Sequence, residues 1–301
     1  MTTDAPNSTR RRLGLALRIV ASVGLLTALF MTRDLGVALE TARALPIWIG
    51  VLAVALFALR NLCHAVRWWY VLRGFGGRAS FAWVHRTVYV GASAMIILPS
   101  SIGGDVVRSG LARRAGLSLA RAATSVVVDR GIGLGALGLL VAIGSAWMPE
   151  SLLPPEVRRL GSWLAAGSAI VGILWYARRG RMADLTWILP SIVLSLAGHV
   201  VALGAIVAFA RGVGIDAPTL GIAGCAVVAW IASLAPVSIG GFGVREAVLV
   251  TLLGRLGVAA DDALAVTLLW SALILVQAAV GAIALSTARA DHSIVVAGSN
   301  P

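Results

Sequence analysis

Two ten-residue runs carry the side chains with the clearest chemical potential. Residues 99–108 read PSSIGGDVVR and residues 236–245 read PVSIGGFGVR. Seven of the ten positions agree at an offset of 137 residues, about half of the 301-residue chain, so the two runs are copies. A proline ends or kinks an incoming helix, because it lacks an N–H and clashes with the preceding turn. Ser101 and Ser238 suit the cap of the next helix, and the pairs Gly103–Gly104 and Gly240–Gly241 let another backbone approach closely. Arg108 and Arg245 each follow the second glycine by four residues, about one turn. Free amides at a helix N-terminus together with a guanidinium make an anion site suited to a phosphate. Acids stand nearby: Asp105 shares a helix face with Arg108, Glu246 follows Arg245, and Asp129–Arg130 lie in the next apolar run. Charged groups at membrane depth are costly and are functional candidates by default. For Arg130 a functional role and a structural ion pair both stay open. For Arg18, Arg60 and His64, read as near span ends, the structural reading is preferred. A competing reading makes the two breaks gates, with Arg108 and Arg245 anchoring them through ion pairs to Asp129 or Glu246.

Other chemistry is excluded or weak. All 25 basic residues are Arg, which removes Schiff-base chemistry and a phosphate-loop lysine. Cys63 and Cys225 stand alone in apolar runs, and the four histidines have no ligand spacing, so no metal site, cofactor or catalytic residue is assigned. Residues 133–138, GLGALG, match a dinucleotide pattern formally but lie inside an apolar span. Gly131 and Gly135 there fit close helix packing. His199 and Gln277 are expected to make interhelical hydrogen bonds, and Trp68 and Trp69 to act as interface anchors.

These residues need elements to hold them, and composition says which kind. The chain is 59% hydrophobic and 13% charged, with mean hydropathy +0.92, where soluble chains carry about 25% charged residues. This predicts an all-α integral membrane protein. Full spans are expected at about 13–32, 46–66, 121–147, 160–177, 185–210 and 262–287. Two shorter runs, 83–98 and 219–235, end at the repeated motifs and are followed by short helices at about 104–114 and 243–256. The first broken segment has a basic loop before it (Arg67, Arg73, Arg78, Arg86) and a basic stretch after it (Arg113, Arg114, Arg121), whereas acids offset Arg211 and Arg255 around the second, so the first is read as a re-entrant hairpin from inside and the second from outside. With the N-terminus inside, the inner loops hold 14 Arg and the outer loops 6, as the positive-inside rule requires. The net charge of +12 is therefore read as topology, not as a nucleic-acid surface. The organisation is a cytoplasmic tail 1–12, a membrane repeat 13–147, an inverted repeat 160–287 and a cytoplasmic tail 288–301. That plan, six full spans and two re-entrant hairpins, recurs among transporters with sites at broken helices.

The runs LPSSIGGDVVR, SVVVDRGIGL (125–134) and APVSIGGFGVRE (235–246) together resemble the lysylphosphatidylglycerol synthase transmembrane-region family, also called flippase-like. The chain is similar, over about 13–287, to the membrane domain of the bacterial multiple peptide resistance factor. The resemblance implies a bacterial inner-membrane protein that moves a phospholipid or lipid-linked anionic headgroup between leaflets, with no synthase domain and no aminoacyl transfer. A lipid-synthesising enzyme or a second copy of the chain is an expected partner. The alternative is a non-transporting membrane subunit that binds lipid and docks a lipid-modifying enzyme, followed by a membrane-embedded glycosyltransferase. Phe242 replaces the acid of Asp105 in the second copy, so the two sites are not chemically equivalent.

Overall fold

A computed structural model describes residues 5–97, 103–145, 159, 161–168, 185–235 and 237–288. Among these the regular structure is helical. The elements are α1 (Ala5–Met31), α2 (Leu35–Arg43), α3 (Ile47–Gly74), α4 (Phe81–Ile97), α5 (Gly103–Ala112) and α6 (Leu119–Ser145). After a helical stretch over 161–168 come α7 (Ile188–Gly212), α8 (Thr219–Ser233), α9 (Val244–Arg255) and α10 (Ala260–Ala288). Four helices, within α3, α6, α7 and α10, are long and apolar enough to cross a bilayer. Ala16–Met31 and Leu35–Arg43 form a fifth candidate, bent by 87°. Ile47 and Met31 are each 84% exposed, and Val51, Val193 and Ile283 are also exposed, as expected of faces that meet lipid. The chain is therefore an all-α, multi-pass membrane protein. At 17 and 15 residues, α4 and α8 fall short of the ~20 that cross a hydrocarbon core. Most of the span expected at 160–177, the tail beyond 288 and Ser101 lie outside the described residues.

The bend after α1 was not expected. Asp34 starts α2 by accepting the Val37 N–H on its own carboxylate at 3.1 Å, and its N–H donates to Asp261 Oδ1 at the start of α10. The stretch 35–43 is thus a short helix packed on α10 rather than a loop.

The centre of the molecule is the antiparallel pair α3 and α7. Its contacts run in reverse register. A Cβ added at Gly204 would stand 3.9 Å from Leu56, one at Gly198 would stand 3.3 Å from Cys63 Cβ, and Arg67 reaches Ser195. Small residues on α7 let the two backbones close, which is how helices associate where lipid is as apolar as leucine. Two cores flank this pair. One holds Trp68, Leu72, Val84, Val88 and Val126 from the first half, and the other Ile206, Ile222, Leu249, Leu253 and Leu264 mainly from the second. The helix pairings match between halves: α4 packs on α5 and α5 on α6, as α8 packs on α9 and α9 on α10.

The helices α4 and α10 touch with almost no gap. The Ser93 hydroxyl donates to Ala278 O, and a Cβ at Gly281 would collide with the Tyr89 carbonyl. Arg86, expected in a basic loop, instead lies in α4 and donates to Ala284 O and Thr287 Oγ1 at the end of α10, where a cation complements the helix dipole. Gly281→Ala is expected to force this seam apart and lower stability by about 1–3 kcal/mol, read as a lower unfolding temperature in detergent. The glycine run of α6 packs on 161–168, but through Gly135 and Gly138, against Ser168, Leu164 and Ala165. Gly131 has no neighbour within 4 Å among the described residues, and the residues that follow Ser168 lie outside them.

Candidate functional site

The first break opens α5 with Gly103 and Gly104, both buried. A side chain at Gly104 would strike the Gly91 carbonyl of α4, and one at Gly91 would meet Arg108 Cγ at 2.9 Å. The glycines therefore bring α4 and α5 together and lay the stem of Arg108 along Gly91. This directs the guanidinium inward, where it is 5% exposed and stacks 4.1 Å from the Trp68 ring. Trp68 is thus a buried platform and not an interface anchor.

Around that guanidinium lies a charge cluster drawn from four helices. Arg108 donates to Asp129 Oδ2 at 2.8 Å and lies 3.7 Å from Asp105 Oδ1. Asp129, fully buried, also accepts from Arg67 Nε at 2.7 Å, with His64 Nε2 3.3 Å from Oδ2. Arg67 NH1 continues to Ser195 Oγ on α7 at 2.8 Å. Asp105 takes Arg130 Nε at 2.5 Å. Among the described residues three guanidiniums thus meet two carboxylates, and Arg108 Nε has no partner there. A buried polar atom left unpaired is costly and is a natural position for an incoming acceptor.

The second break is built differently. Gly240, Gly241 and Gly243 have φ of 59°, 80° and 87°, a left-handed run that residues bearing a Cβ rarely adopt. A Cβ at Gly241 would press on Ser233 at 2.6 Å, and one at Gly243 on Leu25 Cβ of α1 at 2.9 Å. Several backbone donors here are occupied. Ile239 N–H donates to Ser22 Oγ at 2.8 Å, Gly243 N–H to Glu246 Oε2 at 2.7 Å, and Arg245 N–H to Gly241 O at 3.1 Å. Arg245, 3% exposed, pairs with Glu246, donates to Ser271 Oγ at 2.8 Å and lies 5.0 Å from the Trp270 ring. One cation faces one acid, so this cluster is neutral. Arg245 Nε and the buried Ser238 hydroxyl have no partner among the described residues.

The expected site residues therefore gather into two clusters, with Asp105, Arg108, Asp129 and Arg130 in one and Arg245, Glu246 and Ser238 near the other. The sequence reading missed Arg67 and His64 as members. Arg67 was counted with an inner loop, yet it is 8% exposed inside α3, which continues to Gly74. A signal was present: Arg60, His64 and Arg67 are spaced i, i+4 and i+7, so they share one helical face. The interhelical roles of His199 and Gln277 hold, with His199 Nε2 3.0 Å from Gly133 O and Gln277 Nε2 donating to Asn61 Oδ1 at 3.1 Å. Among the described residues no group of His, Cys, Asp and Glu could hold a metal ion.

A comparison with curated proteins finds no match to the chain. The profile of one family, the lysylphosphatidylglycerol synthase TM region, matches residues 15–281, a stretch containing both breaks, both charge clusters, three of the four long apolar helices and most of the fourth. With that coverage and these motifs, the chain belongs to the lysylphosphatidylglycerol synthase TM region family.

Proposed function

We propose that the protein is a flippase-like lipid transporter that carries an anionic headgroup, a phospholipid or lipid-linked phosphate, past the first break. The observation that carries this reading is the buried Arg108 Nε, without a partner among the described residues, in a cluster that joins Arg67, Arg108 and Arg130 to Asp105 and Asp129. Among the described residues that cluster holds more guanidiniums than carboxylates, and a phosphate diester would add an anion beside them. Arg108 binds it through its free Nε edge, with the Gly103–Gly104 end of α5 adding helix-terminus donors. Asp129 and Asp105 hold the three arginines in place. The second break, already neutral, anchors and gates through Arg245 and Glu246. Its Ser238, Gly240 and Gly241 make the turn.

The proposal includes the inverted-repeat plan of six full spans and two re-entrant hairpins, with both termini cytoplasmic. Three observations support it: the matched helix pairings, the antiparallel α3–α7 pair and the place where those helices cross. Gly198 lies against Arg60 and Cys63, and the residue 137 positions before Gly198 is Asn61. Helices related by a two-fold axis cross where equivalent residues meet. The role is transport without bond chemistry, and a lipid-synthesising enzyme is the proposed source of cargo.

Reconstitution into liposomes with a fluorescent phosphatidylglycerol tests this reading. The wild type is expected to expose inner-leaflet probe to an external quencher. Arg108→Ala is expected to slow this roughly ten- to a hundredfold, the loss of one charge-assisted contact of about 1.5–3 kcal/mol. It should remain folded, because Asp129 keeps Arg67. Arg245→Ala is also expected to slow translocation. A wild type that moves no lipid but co-purifies with a lipid-modifying enzyme supports the docking-subunit alternative instead.

A further inference from the structure

Arg60 belongs to neither break, and no role in the reading above uses it. It stands 13 residues from the start of α3 and 14 from its end, at mid-depth of the longest apolar helix of the first half. Its NH1 donates to Asn61 Oδ1 at 2.9 Å, and Asn61 Oδ1 also accepts from Gln277. The guanidinium carbon lies 5.3 Å from the Phe57 ring and 5.5 Å from the Trp230 ring. All of these partners are neutral. Arg67, Arg108, Arg130 and Arg245 each hold a carboxylate. Among the described residues, Arg60 has the Asn61 amide as its one hydrogen-bond acceptor and no acid. It is also half-buried, so the guanidinium is not sealed in the core.

Its position relative to the clusters is equally specific. Toward the first break, His64 and Arg67 continue the same face of α3 to Asp129. Toward the second, Trp230 meets Trp270 at 6.3 Å, and Trp270 lies 5.0 Å from the Arg245 guanidinium. A Cβ at Gly198 would stand 3.7 Å from Arg60 O, so Arg60 sits where α3 and α7 cross. A guanidinium at mid-membrane is costly without a counter-anion, and neutral amide and aromatic partners orient it without neutralising it.

We infer that Arg60 is a phosphate-binding station at the α3–α7 crossing, midway between the two breaks, held open by Asn61, Phe57 and Trp230. The inference rests on the transport reading for the source of its phosphate, a lipid headgroup in passage. The chemistry required is a phosphate mono- or diester anion, taken by the planar fork of the guanidinium.

Native mass spectrometry of the full chain tests it, with phosphatidylglycerol in one arm and inorganic phosphate in the other, on wild type, Arg60→Gln and Arg60→Lys. The expected result is at least about tenfold less phosphatidylglycerol retained by Arg60→Gln, with Arg60→Lys intermediate because it keeps the charge and loses the fork. Retention of inorganic phosphate that depends on Arg60 supports the same site and identifies the free anion as a ligand. In lipid-free detergent Arg60→Gln is expected to melt at or above the wild-type temperature, because an uncompensated cation has been removed. A variant that melts lower and retains phosphatidylglycerol and phosphate as the wild type does overturns the station and makes Arg60 a packing residue. Unchanged retention in Arg60→Gln alongside slow translocation in Arg108→Ala overturns only the station. Arg60-dependent retention by a wild type that translocates nothing upholds the station and overturns the transport reading.

Discussion

Asp129→Ala is expected to destabilise the protein by about 3–5 kcal/mol, the cost of breaking a buried ion pair from one side. Asp129 has no exposed surface and binds Arg67 of α3 and Arg108 of α5 from its place on α6, so one carboxylate ties three helices. Its loss leaves Arg67 buried without a counter-charge and Arg108 with only the Asp105 contact at 3.7 Å, which Arg130 shares. Asp129→Asn fills the same space and still accepts a hydrogen bond, so it should lose less. Arg108→Ala should lose least, because Asp129 remains paired with Arg67. Thermal unfolding in detergent reads the order wild type, Arg108→Ala, Asp129→Asn, Asp129→Ala from most to least stable. Adding Arg67→Met and Arg108→Met to Asp129→Ala should recover part of the loss, because an apolar set of similar volume replaces the stranded charges. If Asp129→Ala unfolded with the wild type, the cluster would not be what joins α3, α5 and α6.

Glu246→Ala should be comparably damaging, for two reasons. One oxygen accepts the Gly243 N–H at the start of α9, at 2.7 Å, and the other holds Arg245 and Ser271. The first contact is a helix cap, worth about 0.5–2 kcal/mol. The second neutralises a guanidinium that is 3% exposed, and losing it costs about 3–5 kcal/mol. Glu246→Gln keeps an oxygen for the cap and loses the charge, so the difference between Gln and Ala holds the cap together with the packing of the buried side chain. Both effects are read by unfolding temperature, with protease accessibility of the 234–244 turn as a second measure. A Gln variant as stable as the wild type would mean that Arg245 finds another anion there.

Much of the helix plan is visible in the amino-acid order, and the misses have definite causes. Apolar runs place α3, α4, α6, α7, α8 and α10, and the Pro-Ser-Gly clusters place the ends of α4 and α8. The error in α3 was one of length. Arg67 resembled the basic flank of a span, whereas the helix continues seven residues beyond it because Asp129 neutralises the charge inside. The helix α2 lies between the expected spans 13–32 and 46–66 and has no signal of its own there, because its main anchor, the Asp34 amide on Asp261, joins positions 227 residues apart. Asp105 was expected to serve Arg108 by its i,i+3 spacing, yet Asp129 is the closer partner, and Arg130 takes Asp105.

The order of residues alone determined that this chain is a helical membrane protein with two related breaks, because bilayer length, apolar runs and helix-breaking residues are local properties of a segment. It also marked Arg108 and Arg245 as a repeated pair and carried the family's motifs. Only the tertiary structure decided which charges meet. It placed three guanidiniums against two carboxylates at the first break, closed the second into a neutral Arg245–Glu246 pair, and left Arg60 among neutral partners at the α3–α7 crossing. Ion pairing depends on distances of a few ångströms between side chains from different helices, and the rotation and register of packed helices set those distances. No single segment encodes that rotation. It follows from where small residues such as Gly91, Gly104 and Gly198 let backbones close.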